Sequence, residues 1–366
     1  MEAMPETGGH LTGLLHNAFM SARYDFVVRI GLLLMLAQIS AAAGAQDLGS
    51  ADQRLVNERP NPSGEATLIT LGMYIFDIDE IDDVNQRFSI DMFMVAAWHD
   101  PRLALPEDER SGQIRTLPMD KIWTPRGLIV NDRGLSPQLP RIASIDDLGN
   151  VVSRQRLSGD LAVALELMEF PFDTQRLPID FVSYQYSPDE VRFSVNTDVS
   201  ADAESFSAAG WRMRILEPET GELTIPAAGI VRTRLTYLIE AKRNAQYYLL
   251  TMFLPMSLIV FMSWTVFWLQ PDIVPARIGI STASIFSLLA LGFSIRLGLP
   301  AVSYMTRADL FVIGCTLLVF VALGVAVIGS RWASADRMER ALRLNAVARW
   351  VYVGLFGIVV TIAMTL

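Results

Sequence analysis

Long apolar runs without a single charged residue occupy the last third of this 366-residue chain. They are residues 244–271, 278–295, 310–330 and 350–366. A helix rises 1.5 Å per residue and needs about 20 residues to cross a hydrocarbon core of ~30 Å, a length that the second and fourth runs only just reach. The pattern therefore predicts four transmembrane helices, at about 247–270, 277–297, 308–330 and 346–366.

A different pattern precedes these runs. Residues 47–245 show no sustained helical period, but short alternating stretches that are typical of strands. Residues 88–95 alternate imperfectly, whereas 191–195, 211–215 and 230–239 alternate cleanly. Thr220-Gly221-Glu222 is predicted to be the hairpin turn before the last strand. The predicted fold class is an all-β immunoglobulin-like sandwich at 46–245, followed by an all-α four-helix transmembrane domain at 246–366.

The first 45 residues read as an N-terminal extension and a cleavable secretory signal peptide. Arg23 and Arg29 precede an apolar core at 30–39, which is too short to span a membrane, and Ala43-Gly44-Ala45 resembles a cleavage site. A retained signal anchor is the alternative, and Met20 is a second candidate for the start.

Charge separates the two domains and orients them. Residues 46–245 hold 20 Lys+Arg against 32 Asp+Glu, and residues 246–366 hold 8 against 4. The connection at 331–349 contains five arginines, so the positive-inside tendency places it, with the loop at 271–276, in the cytoplasm. The sandwich then lies outside, in agreement with the signal peptide.

Enzymatic chemistry has no motif to support it. Cys315 is the only cysteine, so no intrachain disulfide forms, and residues 46–366 contain one histidine, His99. The sequence shows no zinc-ligand spacing, phosphate-binding glycine loop or nucleophile motif, and predicts neither a metal site nor a cofactor. It equally offers no nucleic-acid-binding feature.

Four stretches in order give the chain its resemblance to a known family. They are Trp98-His99-Asp100-Pro101-Arg102-Leu103, Trp123-Thr124-Pro125, Phe170-Pro171-Phe172-Asp173, and Arg243 followed by Tyr247-Tyr248 and Pro255. With the ungapped segment from Pro275 to Pro300, they resemble the pentameric ligand-gated ion channels, in particular the prokaryotic members that lack the Cys-loop disulfide. The resemblance covers nearly all of the chain after the signal peptide.

The resemblance implies a junction between the two domains. The positions of the family's disulfide are occupied by Val163 and Leu177, whose burial is expected to replace the covalent link. Arg243 is expected to face two acids, and the loop at 297–307 to be the element that the junction moves. The implied coupling residues are Asp83, Phe170, Pro171, Phe172, Asp173, Arg243, Pro300 and Tyr304, with Pro171 a candidate for a cis peptide bond. The simpler alternative for Arg243 is a headgroup anchor.

The resemblance also implies which face of the second helix lines a pore. In the family's register the pore-lining positions are Pro275, Gly279, Ala283, Phe286, Ala290, Phe293 and Leu297. A ring of Phe286 side chains would close such a pore by expelling water. Residue chemistry alone would instead turn Ser281, Ser284 and Ser287 toward water, and their alternative role is helix–helix hydrogen bonding.

Ion selectivity and the effector follow less directly. Pro275, Ala276 and Arg277 stand where cation-selective relatives carry a glutamate, and they resemble the chloride-passing glycine and GABA-A receptors. The acidic outer domain argues for cations instead. Phe93 and Tyr184, with Tyr186 nearby, match the family's ligand-binding aromatics, although Phe93 and Tyr184 also fit a sandwich core.

These inferences converge on a homopentameric ligand-gated channel in a bacterial inner membrane, with its large domain in the periplasm. Its expected partners are membrane lipid, permeant inorganic ions and a small-molecule or proton effector. The alternatives are a non-conducting receptor or adhesion module of the same architecture, and a cation-selective or proton-gated channel.

Overall fold

A computed structural model describes residues 50–197, 201–202, 206–296 and 302–365. The chain divides into two compact units, and α1 (Ser50–Asn57) is the described part of the first. The second unit begins at Glu58 and contains all the other elements. The predicted signal peptide at 1–45 lies outside the described residues, and so do Leu297 and Pro300.

Residues 67–243 form thirteen strands in two sheets, counted over the part of the chain that the structure describes. The larger sheet has the order β10-β1-β2-β7-β6-β3, with β5 on β7 and β9 on β1. The smaller sheet has the order β11-β13-β8-β4, with β12 on β13. The strands are β1 Thr67–Asp82, β2 Arg87–His99, β3 Arg115–Pro118, β4 Gly127–Ile129, β5 Ser136–Pro137, β6 Ile142–Ile145, β7 Asn150–Ala162, β8 Thr174–Ser183, β9 Val191–Val195, β10 Ala201–Asp202, β11 Trp211–Ile215, β12 Glu219–Ile225 and β13 Ile230–Arg243.

The sandwich core lies between the two sheets. In β2 the buried side chains Phe88, Ile90, Met92 and Met94 are spaced two residues apart, because alternate side chains of a strand point to opposite faces. From the smaller sheet, Tyr237 of β13 donates its hydroxyl to the backbone of β1 at a distance of 3.1 Å. The predicted β-sandwich is therefore confirmed.

The hairpin turn before the last strand was predicted at the wrong place. Thr220, Gly221 and Glu222 lie inside β12, paired with residues 233–235 of β13. The chain turns instead at residues 226–229, where Gly229 adopts a left-handed conformation with φ of 60°. A proline that fixes φ before a glycine that accepts positive φ makes a tighter turn than Thr-Gly-Glu does.

Four long apolar helices follow the sandwich, as predicted. They are α2 Gln246–Trp268, α3 Val274–Arg296, α4 Arg307–Ser334 and α5 Met338–Thr365, and each is long and apolar enough to cross a membrane. Helix α2 widens into a π-helical segment at Leu249–Phe253, just before Pro255. Proline has no N–H to donate and its ring needs space in the preceding turn, which the wider segment supplies.

The connection between the last two helices is much shorter than predicted. A linker is predicted at residues 331–349, but only residues 335–337 separate α4 from α5. Charged residues end a hydrophobic run without ending a helix, since arginine, leucine and alanine are good helix formers. Both helices therefore extend beyond their apolar segments.

Candidate functional site

The side chain of Arg243, the last residue of β13, lies between two carboxylates. Its Nε and Nη2 donate to Asp173 at 2.8 and 3.1 Å, and its Nη1 and Nη2 donate to Asp83 at 2.7 and 2.9 Å. The backbone N–H of Arg243 also donates to the carbonyl of Asp173, at 3.1 Å. Both acids that the resemblance implied therefore contact this guanidinium.

Aromatic rings cover the same guanidinium. Its central carbon lies 4.1 Å from the ring centre of Trp211, 4.9 Å from that of Phe170 and 5.8 Å from that of Tyr248. Phe170 and Tyr248 also meet edge to face at 4.7 Å. Because Tyr248 belongs to α2 and Phe170 to the sandwich, the cluster joins the two domains.

Water has little access to this cluster. The side chains of Arg243, Asp83 and Asp173 are 3%, 13% and 2% exposed. Burial alone would lower the pKa of Arg243, but the hydrogen bonds and charges of both carboxylates outweigh it and raise that pKa. The arginine stays charged, and removal of one partner from a buried pair costs about 3–5 kcal/mol.

The loop between β7 and β8, residues 163–173, continues the contact toward the helices. Val163 and Leu177, at the family's disulfide positions, are both buried. The Phe170–Pro171 peptide bond is cis, as the sequence suggested. The carbonyl of Phe170 accepts a hydrogen bond from the N–H of Ala308 at 3.2 Å, so this loop contacts the first turn of α4.

Two further contacts attach the same loop to the segment before α4. The hydroxyl of Tyr304 accepts a hydrogen bond from the N–H of Leu167 at 3.0 Å. Arg307 donates its N–H to the carbonyl of Met168 at 3.0 Å, and its Nη2 donates to Glu169 at 2.8 Å. The predicted coupling residue Tyr304 therefore contacts the loop, while Pro300 lies outside the described residues.

The predicted pore-lining residues share one open face of α3. Pro275, Gly279, Ala283 and Ala290 are exposed in the single chain. Phe286 and Phe293 are 67% and 69% exposed. Ser281 and Ser284 lie on the opposite side and are fully buried, and the hydroxyl of Ser284 donates to the carbonyl of Ile280 at 2.8 Å. Ser287, the third serine, is exposed. The open face thus holds the described positions of the family's register together with Ser287.

The three predicted selectivity residues do not share one environment. Pro275 and Ala276 are exposed, whereas Arg277 is fully buried. One guanidinium nitrogen of Arg277 donates to the side-chain oxygen of Asn345 in α5, at 2.9 Å. Any effect of its charge on a passing ion would therefore act through the protein rather than by direct contact.

The predicted ligand-binding aromatics are dispersed. Phe93 is half-buried on β2, and Tyr184 is 43% exposed just after β8, in the other sheet. Tyr186 belongs to the core: its hydroxyl accepts a hydrogen bond from the indole of Trp123 at 2.7 Å. Burial raises the pKa of Tyr186 although that hydrogen bond acts the other way. A single chain does not assemble these residues into an aromatic cage.

A cavity of ≈ 500 Å³ opens beside Tyr184, between the two sheets. Arg126, Arg141 and Asp132 contribute charge to its lining, and Phe181 and Met94 contribute apolar surface. Arg126 has φ of 50°, and its carbonyl accepts a hydrogen bond from the N–H of Tyr184 at 3.1 Å. The cavity lies within one chain, and its lining mixes polar and apolar surface.

Sequence reasoning missed several residues at these sites. Trp211 stacks on Arg243, Arg307 binds Glu169, and Asn345 binds Arg277, yet none was predicted. The sequence signal that could have indicated Trp211 is a tryptophan at the first position of a strand that ends near the membrane. For Asn345, the signal was a single asparagine in the last helix.

Two comparisons with known proteins match this architecture. Residues 53–222 match the neurotransmitter-gated ion-channel ligand binding domain, and residues 252–349 match the neurotransmitter-gated ion-channel transmembrane region. The chain therefore matches the models of both domains of the neurotransmitter-gated ion channels, in the order that the sequence resemblance implied.

Individual relatives are more distant. A gamma-aminobutyric acid receptor subunit beta from Caenorhabditis elegans is 26% identical over 330 residues, which cover 81% of this chain and 58% of the relative. The beta-4 subunit from Gallus gallus is 25% identical over 313 residues, covering 80% and 64%. A glycine receptor subunit beta from Rattus norvegicus is 28% identical over 284 residues, covering 75% and 57%. The chain spans about three fifths of the length of these curated relatives.

Proposed function

We propose that this protein is an anion-selective, ligand-gated channel in which five copies surround a pore lined by α3. The open face of α3 carries the proposal. In a single chain this helix buries Ser281 and Ser284 against its own bundle and leaves Gly279, Ala283, Phe286 and Phe293 uncovered. Five such faces around an axis would leave a narrow apolar conduit with two rings of phenylalanine.

The proposed gate is the ring of Phe286. A narrow apolar constriction expels water before it is sterically closed, so it stops ions without a mechanical plug. Phe293 lies two helical turns further along and would form the second ring. Opening requires only that α3 tilts or rotates enough to widen the ring and let water return.

The proposed route from effector to gate runs through the Arg243 junction. Arg243 joins Asp83 at the end of β1 to Asp173, and the loop that contains Asp173 is bonded to Tyr304 and α4. Since α3 and α4 are consecutive helices, a displacement of this loop reaches the end of α3. An arginine held between two carboxylates has few alternative positions, which favours transmission of motion over its absorption.

Two observations support anion selectivity. The relatives that the chain matches include subunits of gamma-aminobutyric acid and glycine receptors, and the start of α3 reads Pro275-Ala276-Arg277 with no acid among them. The excess of acids in residues 46–245 favours cations instead. Residues at the mouth act at closer range, which is why anions are proposed.

The proposed effector is a small zwitterion of the amino-acid type that binds in the cavity beside Tyr184. Two arginines and one aspartate in its lining offer partners for a carboxylate and an amine. The names of the matched relatives point to the same class of molecule. The proposed location is a bacterial inner membrane with the sandwich in the periplasm, in agreement with the arginine-rich ends of α4 and α5.

Ion flux from liposomes that contain the purified protein tests the proposal. The experiment uses a Cys315→Ser background, in which Phe286→Cys is the one thiol available for a capping reagent. We expect effector-dependent flux that capping abolishes, and a reversal potential that follows the chloride gradient. A reversal potential that follows sodium would overturn anion selectivity. The absence of flux with every small amino acid, amine, acid and pH tried would favour the non-conducting receptor.

A further inference from the structure

Arg277, near the start of α3, is a fully buried charge without a counter-charge. Its side chain points into the bundle, where one Nη2 hydrogen bond reaches the neutral amide oxygen of Asn345 at 2.9 Å. The Nε and Nη1 atoms have no hydrogen-bond partner, and no carboxylate lies within ion-pair distance among the described residues. An ionised group in such surroundings is expensive unless another charge balances it.

Two more unpartnered donors lie on the neighbouring surfaces. The hydroxyl of Ser281 is buried one helical turn along the same face of α3, and it has no partner. The hydroxyl of Ser330 in α4 is also buried without a partner. Neither serine bonds to its own helix backbone, as Ser284 does. Together with Nε and Nη1 of Arg277, these hydroxyls make four buried polar atoms on α3 and α4 without a hydrogen-bond partner among the described residues.

The backbone is shaped to admit the guanidinium. A side chain at Gly329, next to Ser330, would place its Cβ 3.2 Å from Nη1 and 3.4 Å from Nη2 of Arg277. Glycine thus lets the charged group lie directly against α4. Asn345 is held in turn, because its side-chain nitrogen donates to the carbonyl of Leu269 at 3.3 Å.

The elements packed around Arg277 add positive rather than negative charge. Arg331 follows Ser330 in α4, and Arg349 lies one turn beyond Asn345 in α5, where it stacks on Trp268 at 4.3 Å. The acids of the adjoining loops, Asp272 and Asp336, are exposed and form no ion pair with Arg277. Among the described residues of one chain, no carboxylate therefore pairs with Arg277.

We propose that Arg277, Ser281 and Ser330 form a buried anion site behind the pore-lining helix, and that its occupant is a halide ion, chloride in the cell. The guanidinium offers the Nε and Nη1 hydrogens, and the two serines offer hydroxyl hydrogens. A halide accepts several hydrogen bonds from any direction and needs no acceptor in return, which matches a site whose unpartnered groups each carry a hydrogen to donate. The site ties α3 to α4 and α5, and it does not depend on which ion the pore passes.

The first experiment locates the ion. Crystals of the detergent-solubilised wild-type protein, soaked in bromide, should show an anomalous difference peak next to the Arg277 guanidinium. The absence of a peak there, with bromide bound elsewhere in the same crystal, would overturn the proposal and assign these donors to water.

The second experiment measures stability with Asn345→Asp, which puts a carboxylate of the same shape against the guanidinium. Wild-type protein transferred from gluconate to chloride at constant ionic strength should show a saturable rise in its thermal unfolding midpoint, because the ion binds only the folded state. The variant should lose that rise, since its own carboxylate replaces the ion.

Ala346→Asp is the matched control, because it adds the same charge on the exposed side of the same helix. It should keep the chloride dependence of the wild type. An equal chloride response in Asn345→Asp and wild type would refute the site. Should Asn345→Asp fail to fold, Ser330→Ala takes its place, and an unchanged bromide peak and chloride midpoint in that variant would exclude Ser330 from the site.

Discussion

The hydroxyl of Tyr304 accepts a hydrogen bond from the N–H of Leu167 at 3.0 Å, across the boundary between the helices and the sandwich. Leu167 is 1% exposed, so its N–H has no access to water as a substitute. One side-chain atom of the α3–α4 connection is therefore the acceptor for a backbone donor of the β7–β8 loop. This contact links the connection to the loop.

Tyr304→Phe should weaken that link without removal of the ring. The N–H of Leu167 loses its acceptor, and a buried unsatisfied donor costs about 1–3 kcal/mol. Because 1.4 kcal/mol corresponds to about tenfold in an equilibrium constant, we expect the half-maximal effector concentration to shift by about fivefold or more. Concentration–response currents measure it. Tyr247→Phe, at a tyrosine that is 65% exposed, is the control, and an equal response in both variants would argue against the link.

Arg243→Ala should abolish gating or assembly, because it leaves Asp83 and Asp173 buried without their partner, at a cost of about 3–5 kcal/mol. Arg243→Lys keeps the charge but cannot bridge both carboxylates in the same geometry, so we expect a smaller loss. Size-exclusion chromatography separates failed assembly from failed gating, which currents report.

The control for Arg243 is Arg214→Ala. Arg214 pairs with Glu240 at 3.1 Å, but its side chain is 69% exposed, and an exposed pair contributes only about 0–1 kcal/mol. A wild-type effector response in Arg243→Ala would end the hypothesis that this junction transmits the signal.

Phe286→Ala should raise the current measured without effector, because the narrowest apolar ring becomes wider and wets more readily. Single-channel recording measures the open probability directly. Phe320→Ala, at a phenylalanine of α4 that is 50% exposed, removes the same side chain from another helix and should leave the unstimulated current unchanged. Equal currents in all three proteins would remove Phe286 as the gate.

Asp79→Asn should stabilise the sandwich at neutral pH. Partial desolvation raises the pKa of Asp79, and the neighbouring Asp77 and Asp91 raise it further. When the pKa of a carboxyl group is higher in the folded state than in the unfolded state, the folded protein loses stability as the pH rises through that pKa. Because Asp79 is exposed, solvent screens its charge and keeps the effect small. The gain from Asp79→Asn should therefore be present at neutral pH, at about 0.5 kcal/mol or less, and disappear in acid.

Thermal unfolding between about pH 4 and pH 8 measures this effect, on either side of the ordinary range of carboxyl groups. The control is Asp108→Asn, at an exposed position. A stabilisation by Asp79→Asn that is the same at both ends of the pH range would contradict the mechanism, since it would not come from ionisation.

Prediction from the sequence succeeded where a property repeats along the chain. The alternation in 191–195 and 211–215 matches β9 and β11 residue for residue, and the apolar runs match four long helices. Prediction failed where the end of a helix or a strand had to be located. Residues 331–349 were read as a linker because of their charges, and Thr220-Gly221-Glu222 as a turn because of its glycine.

The contacts of the candidate site divide in the same way. The family resemblance indicated Asp83 and Asp173 as partners of Arg243, which are 160 and 70 residues away along the chain. No local pattern indicated Trp211 or Asn345. Their roles come from their contacts, Trp211 with Arg243 and Asn345 with Arg277. Tyr186 was a candidate ligand residue, and the structure places it in the core, in the segment after β8. The sequence did not separate these two roles, because a buried aromatic and a ligand-binding aromatic have the same signature.

The sequence by itself determined the two-domain order, the four membrane-length helices and the charge difference between the domains, because hydrophobicity and charge add up residue by residue. Only the tertiary structure decided that Arg277 turns into the bundle while Phe286, nine residues later, stays on the open face. Both residues lie on one regular helix, whose period says which side chains share a face but not which face its neighbours cover. That choice depends on how α2 and α4 pack against α3, and packing is a property of all three helices together.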